Sequence, residues 1–211
     1  MPTAWCTAFH TDKHPYEYLA ANPQARQIAH AHMLVQRDGR PICFNGLDFK
    51  ARFAQETTDS TILFVDIGGA IGAQCVAFRN HYPDLAGRVI LQDRPEMVEQ
   101  ATKVGMASSA NFEIEAYDFF TPETVKGSIP VNTQHMQSTI ANNFCVGAKA
   151  YYLRNIFHAW TDAQCIEILL NIKTGMTSES VILIDEQILA EQHVAPRGAQ
   201  HDIDTLICVG M

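Results

Sequence analysis

The chain has 211 residues, 47% hydrophobic and 18% charged, enough for one domain with a sizeable core. Its net charge of −8, with no basic run, gives no electrostatic reason to bind nucleic acid or an anionic membrane surface, so a small neutral or apolar substrate is expected. The six cysteines contain no CxxC pair, so neither a disulfide framework nor a metal site is expected. With no signal pattern and no apolar run of membrane-spanning length, the cytoplasm is the expected compartment.

In chain order, Tyr16 to Ala21 and Gln24 to Gln36 carry helix-compatible patterns broken at Asn22-Pro23, where Asn suits a cap and Pro the first helical turn. His30 and His32, two apart, point to different faces of such a helix and do not share a metal. Leu47 to Gln55 reads as another helix, and Thr57 to Ser60 leads into a β-branched and aromatic strand, Thr61 to Asp66. Gly68-Gly69-Ala70-Ile71-Gly72 then turns directly into an apolar-periodic helix. Such a turn allows positive φ and close backbone approach, and it presents helix N-terminal N–H groups.

A second strand, Val89 to Asp93, ends in a carboxylate about twenty residues beyond the glycines, where a doubly wound sheet grips a ribose diol. Asp66 beside the glycines repels a pyrophosphate and favours a cationic ligand, so S-adenosylmethionine fits better than NAD; the alternative is a tight turn with no ligand. Glu96 to Ala107 is predicted helical and Phe112 to Glu115 a short strand. In the turn that follows, Asp118 can accept from an adenine amino group beneath Phe119 or simply cap the turn. Residues 128–146 are polar and aperiodic, and read as an insertion.

The fourth strand is Ala148 to Leu153. The helix after Thr161 places Cys165, Ile168, Leu169 and Ile172 on one sheet-facing side. Val181 to Glu186 is the fifth strand, and Asp202 to Met211 could begin a further helix. Strands alternating with helices predict an α/β doubly wound, Rossmann-like sheet. His158 and Glu186 stand at the carboxyl ends of two strands, where such sheets build their sites. An imidazole of ordinary pKa about 6.5 can take the proton of a phenol of pKa about 10 if a carboxylate stabilises the imidazolium. The alternative is a histidine that merely precedes a helix and a solvated strand end.

Val65-Asp66-Ile67-Gly68-Gly69-Ala70-Ile71-Gly72, Leu91-Gln92-Asp93-Arg94-Pro95, Asp118-Phe119-Phe120 and Tyr152 to Trp160, in this order, resemble the S-adenosylmethionine-dependent O-methyltransferases of plant and fungal secondary metabolism, the fungal branch above all. The resemblance implies the class I methyltransferase fold. It also implies that Asp66, Gly68, Gly69 and Gly72 cradle the methionine part of the cofactor, that Asp93 holds the ribose, that Asp118 and Phe119 meet the adenine, and that Arg154 lies near the cofactor carboxylate. His158 matches the general base, Glu186 the carboxylate that orients it, and Met33 and Trp160 line the substrate site. The implied reaction is methyl transfer to a hydroxyl of an aromatic, polyketide-like small molecule. A methyltransferase-like protein that binds cofactor or a partner without methyl transfer is the other reading.

Several positions depart from the family pattern. Ala159 stands where an acid commonly follows the histidine, Ala70 where glycine is frequent, and Ala29-His30 where Phe-Asn is usual. Residues 1–56 are expected to be a helical connector and 57–211 the methyltransferase domain, without the family's N-terminal dimerisation module and its last strands. An exposed fifth strand would then favour association of copies through the sheet edge.

Overall fold

The computed structural model describes residues 3–37, 42–125, 147–187 and 205. The chain divides into two compact units, Met1–Asn45 with Asn155–Asp162 and Glu186–Met211, and Gly46–Arg154 with Ala163–Asp185.

The first unit holds α1 (Ala4–Ala8), α2 (Pro15–Ala21) and α3 (Pro23–Arg37). α1 went unpredicted because it is a single short turn; it forms because the Thr3 hydroxyl caps it, accepting from the Cys6 N–H at 3.2 Å. The break at Asn22-Pro23 is as expected. The Asn22 amide donates back to the Tyr18 carbonyl at 2.7 Å and its own carbonyl accepts from Arg26 N–H at 3.0 Å, so one residue closes α2 and opens α3.

The second unit contains α4 (Phe49–Phe53), β1 (Ile62–Ile67), α5 (Ala73–His81), β2 (Arg88–Asp93), α6 (Pro95–Val104), α7 (Met106–Ala110), β3 (Glu113–Ala116), β4 (Ala150–Arg154), most of α8 (Asp162–Lys173) and β5 (Val181–Asp185). The strands form one parallel sheet in the order β3-β2-β1-β4-β5. Helices cover both faces of such a sheet, so its central strands read as unbroken apolar runs, and every residue of β1 and β4 is buried. This is the doubly wound α/β fold expected from the sequence.

On one face Phe64 stacks on Phe78 of α5 at 4.7 Å, and Phe49 meets Phe78 edge-on at 5.0 Å. All three rings are fully buried, each contributing about 2–3 kcal/mol by removal from water. On the other face Ile168 and Ile172 of α8 are fully buried, while Cys165 and Leu169 are only half-buried and Ile166 and Leu170 are exposed. The apolar stripe of α8 is therefore narrower than its sequence suggested.

Several boundaries move, each for a local reason. The helix expected over 96–107 stops at Gly105, whose φ of 74° ends α6 by turning its N–H onto the Ala101 and Thr102 carbonyls. The helix expected over 47–55 shrinks to Phe49–Phe53, capped by the Asp48 carboxylate on Ala51 N–H at 3.0 Å. β3 begins one residue late because Phe112 N–H is used by the Ala107 carbonyl at 3.2 Å. β4 spans Ala150–Arg154 rather than 148–153, since the Ala148 N–H goes to the Tyr151 hydroxyl. β5 ends at Asp185. The expected insertion at 128–146 lies outside the described residues, as does the segment 202–211 apart from Thr205. β5 is the outer strand of the described sheet, with Ile184 53% exposed.

The second face buries a polar cluster. The Gln92 side-chain amide donates to Glu123 Oε1 at 2.7 Å, and the Val125 N–H donates to the same oxygen at 2.7 Å. Both side chains are fully buried, and Gln92 Oε1 and Glu123 Oε2 have no hydrogen-bond partner among the described residues. Burial, reinforced by the charge of Glu115, outweighs the hydrogen bonds from Gln92 and Val125 and raises the Glu123 carboxyl above its ordinary value. The folded state thus keeps this proton to higher pH than the unfolded chain. The stability it contributes is fully present below the ordinary carboxyl range and is lost as pH rises through the raised value. Glu123→Gln is expected to be stabilising by about 1 kcal/mol at pH 8 and by less at pH 5, read by denaturant melts at both values. An equal effect at the two pH values would show that the proton is not held.

Candidate functional site

The glycine turn leaves β1 directly. Gly68, Ala70 and Gly72 all have positive φ, 72°, 56° and 91°, so alternate residues are left-handed. At Ala70 this costs about 1–2 kcal/mol, which explains why glycine is the usual residue there. The turn is braced inward: Gly68 N–H donates to the Gln92 carbonyl at 2.8 Å, Ala70 N–H to Asp93 Oδ2 at 2.8 Å and Gly72 N–H to the Gly69 carbonyl at 3.0 Å. Gly72 then starts α5 as its cap.

Asp66 does not end the strand; β1 continues to Ile67 and the Asp66 side chain is 1% exposed beneath the turn. A Cβ at Gly69 would overlap the Asp66 carboxylate and approach Leu91 Cδ1 to 2.6 Å. The Cys75 thiol donates to Asp66 Oδ2 at 3.8 Å, and burial together with the Asp66 charge holds that thiol well above its usual range. A carboxylate thus lies directly below the glycines.

Asp93 at the end of β2 accepts from Arg94 N–H at 2.7 Å through Oδ1 and from Ala70 N–H through Oδ2. Burial raises its carboxyl above the ordinary value, against those two bonds. A carboxylate has about four acceptor sites, so two such bonds leave capacity for a diol. The Asp93 carbonyl also accepts from Tyr117 N–H at 2.9 Å, tying the next turn to β2. In that turn Asp118 is exposed and its Oδ1 accepts from Phe120 N–H at 3.0 Å, the capping arrangement weighed from sequence. Phe119 packs edge-on against Phe120 at 5.1 Å. At the end of β4, Arg154 is 8% exposed, with Nε 3.6 Å from Asp185 Oδ2.

The sheet order therefore lines up residues 66–72, 93, 118–119 and 154 along the carboxyl ends of β1, β2, β3 and β4. These are four adjacent strands about 14 Å across. These groups suit S-adenosylmethionine: a buried negative charge below a glycine turn for a cationic ligand, an acceptor for a diol, and a guanidinium for a carboxylate. A cavity of about 270 Å³ lined by Val89, Asn111, Phe112 and Glu113 lies at the amino ends of β2 and β3 and includes none of these residues.

In the other unit, Asn155, in left-handed conformation with φ 53°, redirects the chain into a short 3-10 turn, Phe157–Ala159. Glu186 holds this turn: Oε1 accepts from the N–H groups of Ile156 and Phe157, both at 2.7 Å, and Oε2 lies 3.0 Å from His158 Nδ1. Burial would raise the Glu186 carboxyl, but the hydrogen bond and charge of His158 and the two N–H groups outweigh it and hold it below the ordinary value. An acceptor at Nδ1 selects the tautomer that carries its proton there and leaves a lone pair on Nε2. Trp160 is half-buried and stacks on His14 at 4.8 Å, with Tyr16 at 6.0 Å. The side chain of Met33 lies outside the described residues, as do those of His30 and His32.

Residues 126–210 match the O-methyltransferase domain family. The O-methyltransferase dpfgI of Gibberella zeae is 32% identical over 92% of this chain and 46% of its own length. A solved structure of LepI in complex with SAM overlays 99% of the chain and 47% of its own, with a TM-score of 0.75 and 32% identity. The chain is a relative of the fungal O-methyltransferases. Another structure, described as a pericyclic reaction enzyme, matches at 31% identity and a TM-score of 0.75 over 99% of the chain and 48% of its own. The chain spans about half the length of these relatives.

Among the described residues no cluster of His, Cys, Asp and Glu is arranged to hold a metal ion, and no helix is long and apolar enough to cross a membrane. Two residues escaped the sequence reading. Asp185 accepts from the Tyr152 hydroxyl at 2.5 Å and pairs with Arg154. The only available signal was an acid beside Glu186 at a strand end, which looks like solvated charge.

Proposed function

We propose that the chain binds S-adenosylmethionine and transfers its methyl group to a hydroxyl of an aromatic, polyketide-like small molecule, with His158 as general base. The observation that carries this reading is the Glu186–His158 pair, with Oε2 3.0 Å from Nδ1. Bound S-adenosylmethionine supplies an electrophilic methyl group on a sulfonium. Asp66 below the glycine turn attracts that cation, Asp93 accepts from the ribose hydroxyls, Asp118 and Phe119 meet the adenine, and Arg154 faces the carboxylate. His158 Nε2 takes the acceptor's hydroxyl proton as the oxygen becomes the nucleophile, and Glu186 stabilises the imidazolium that results. Met33 and Trp160 are proposed to line the acceptor site, the edge of β5 to mediate association of copies, and the cytoplasm to be the place of action.

The names of the matched relatives favour an enzyme over a cofactor-binding protein without methyl transfer. A second reading, rearrangement of a substrate in the same pocket, is favoured by the relative described as a pericyclic reaction enzyme. Incubation with methyl-labelled S-adenosylmethionine and a panel of phenols separates them. Label in a methylated product is expected; an isomeric product of unchanged mass without label would favour rearrangement, and no product of either kind would sink both.

A further inference from the structure

Arg154 is a cation with 8% of its side chain exposed, and a buried charge is tolerated only when it is paired and held. One group that pairs with it, Asp185, belongs neither to the glycine turn nor to the catalytic pair. Arg154 and Asp185 stand opposite each other in the β4–β5 register, and Tyr152, two residues earlier on β4, shares their face of the sheet. The Tyr152 hydroxyl is fully buried with its ring and donates to Asp185 Oδ2 at 2.5 Å, a short charge-assisted bond. The same oxygen lies 3.6 Å from Arg154 Nε. The linkage runs in one direction. A buried tyrosine holds the carboxylate by a hydrogen bond, and the carboxylate sets its charge beside the inner edge of the guanidinium at the carboxyl end of the sheet.

We infer that Asp185, braced by Tyr152, is the positioning residue that sets Arg154 in the orientation in which it meets the carboxylate of the cofactor's amino-acid portion. The inference rests on the cofactor reading above and adds a residue to it. A residue acting through Arg154 affects only ligands that carry the amino-acid portion. A residue that merely supports the sheet affects every ligand of the pocket.

The test uses the full chain and two probes, S-adenosylhomocysteine and 5′-methylthioadenosine, which keeps the nucleoside but has no amino-acid carboxylate. Affinities are measured by calorimetry for the wild type, Asp185→Asn, Tyr152→Phe, Arg154→Ala and the Asp185→Asn/Arg154→Ala double variant. Asp185→Asn is expected to weaken S-adenosylhomocysteine about tenfold and leave methylthioadenosine unchanged. Tyr152→Phe, which removes one oxygen and keeps the ring, is expected to give a smaller loss with the same selectivity. In the Arg154→Ala background the Asp185 substitution is expected to add nothing. Equal weakening of both probes, no weakening of either, or a full additional loss in the double variant would overturn the positioning role while leaving the cofactor reading in place. A wild type that binds neither probe would overturn both. If Asp185→Asn does not fold, Tyr152→Phe decides by the same selectivity.

Discussion

Replacing His158 by alanine is expected to lower the rate of methyl transfer by about 10²- to 10⁴-fold while leaving affinity for S-adenosylhomocysteine unchanged. The proposed base acts on the acceptor's proton, and neither His158 nor Glu186 is among the groups assigned to the cofactor. The deficit should also depend on pH. A phenol of pKa about 10 ionises unaided as the solution becomes alkaline, so the gap between variant and wild type should close towards high pH. Rates from pH 6 to 10 for both proteins check this. A variant equally impaired across that range would point to a damaged turn rather than a missing base. Glu186→Gln serves as the companion, since it removes the charge opposite Nδ1 and is expected to give an intermediate loss.

Gly69→Ala is expected to be destabilising by about 1–3 kcal/mol, lowering Tm by several degrees, and to abolish measurable cofactor binding. The added methyl would occupy the space of the Asp66 carboxylate and press on Leu91 Cδ1, two side chains fixed in the core. Relief requires lifting the turn, which would break the Ala70 bond to Asp93, the residue proposed to hold the ribose. Gly46→Ala is the matched control, because a Cβ there meets nothing within 4 Å. Thermal melts and calorimetry on the two variants give the comparison. A Gly69 variant as stable as the control would mean that the turn does not rest on Asp66 as described.

The sheet was legible in the sequence because strands buried on both faces must be continuous apolar runs, and the glycine turn because few other residues tolerate its left-handed positions. Asp93, His158 and Glu186 were legible as acids and bases at strand ends, and Arg154 only through the family resemblance. Less legible was whatever depends on a partner distant in the chain. Gly105 looks like a tolerated glycine inside one helix until its φ of 74° divides α6 from α7. Glu123 looks like surface charge until Gln92, 31 positions away, is seen to bury with it. Asp185 needed Tyr152, and Asp118 offered two roles that only the turn's own hydrogen bonds begin to separate. Local pattern reports backbone preference well, but it does not report which oxygen a side chain will choose.

The attachment of Glu186 at three points, to two backbone N–H groups and an imidazole, bears on when the entropy of ordering the proposed base is lost. A carboxylate free to rotate would have to be immobilised in each catalytic cycle, and that cost would enter the barrier. Here the rotamer is frozen when the 156–158 turn forms, so the loss belongs to folding and is incurred once per molecule rather than once per turnover.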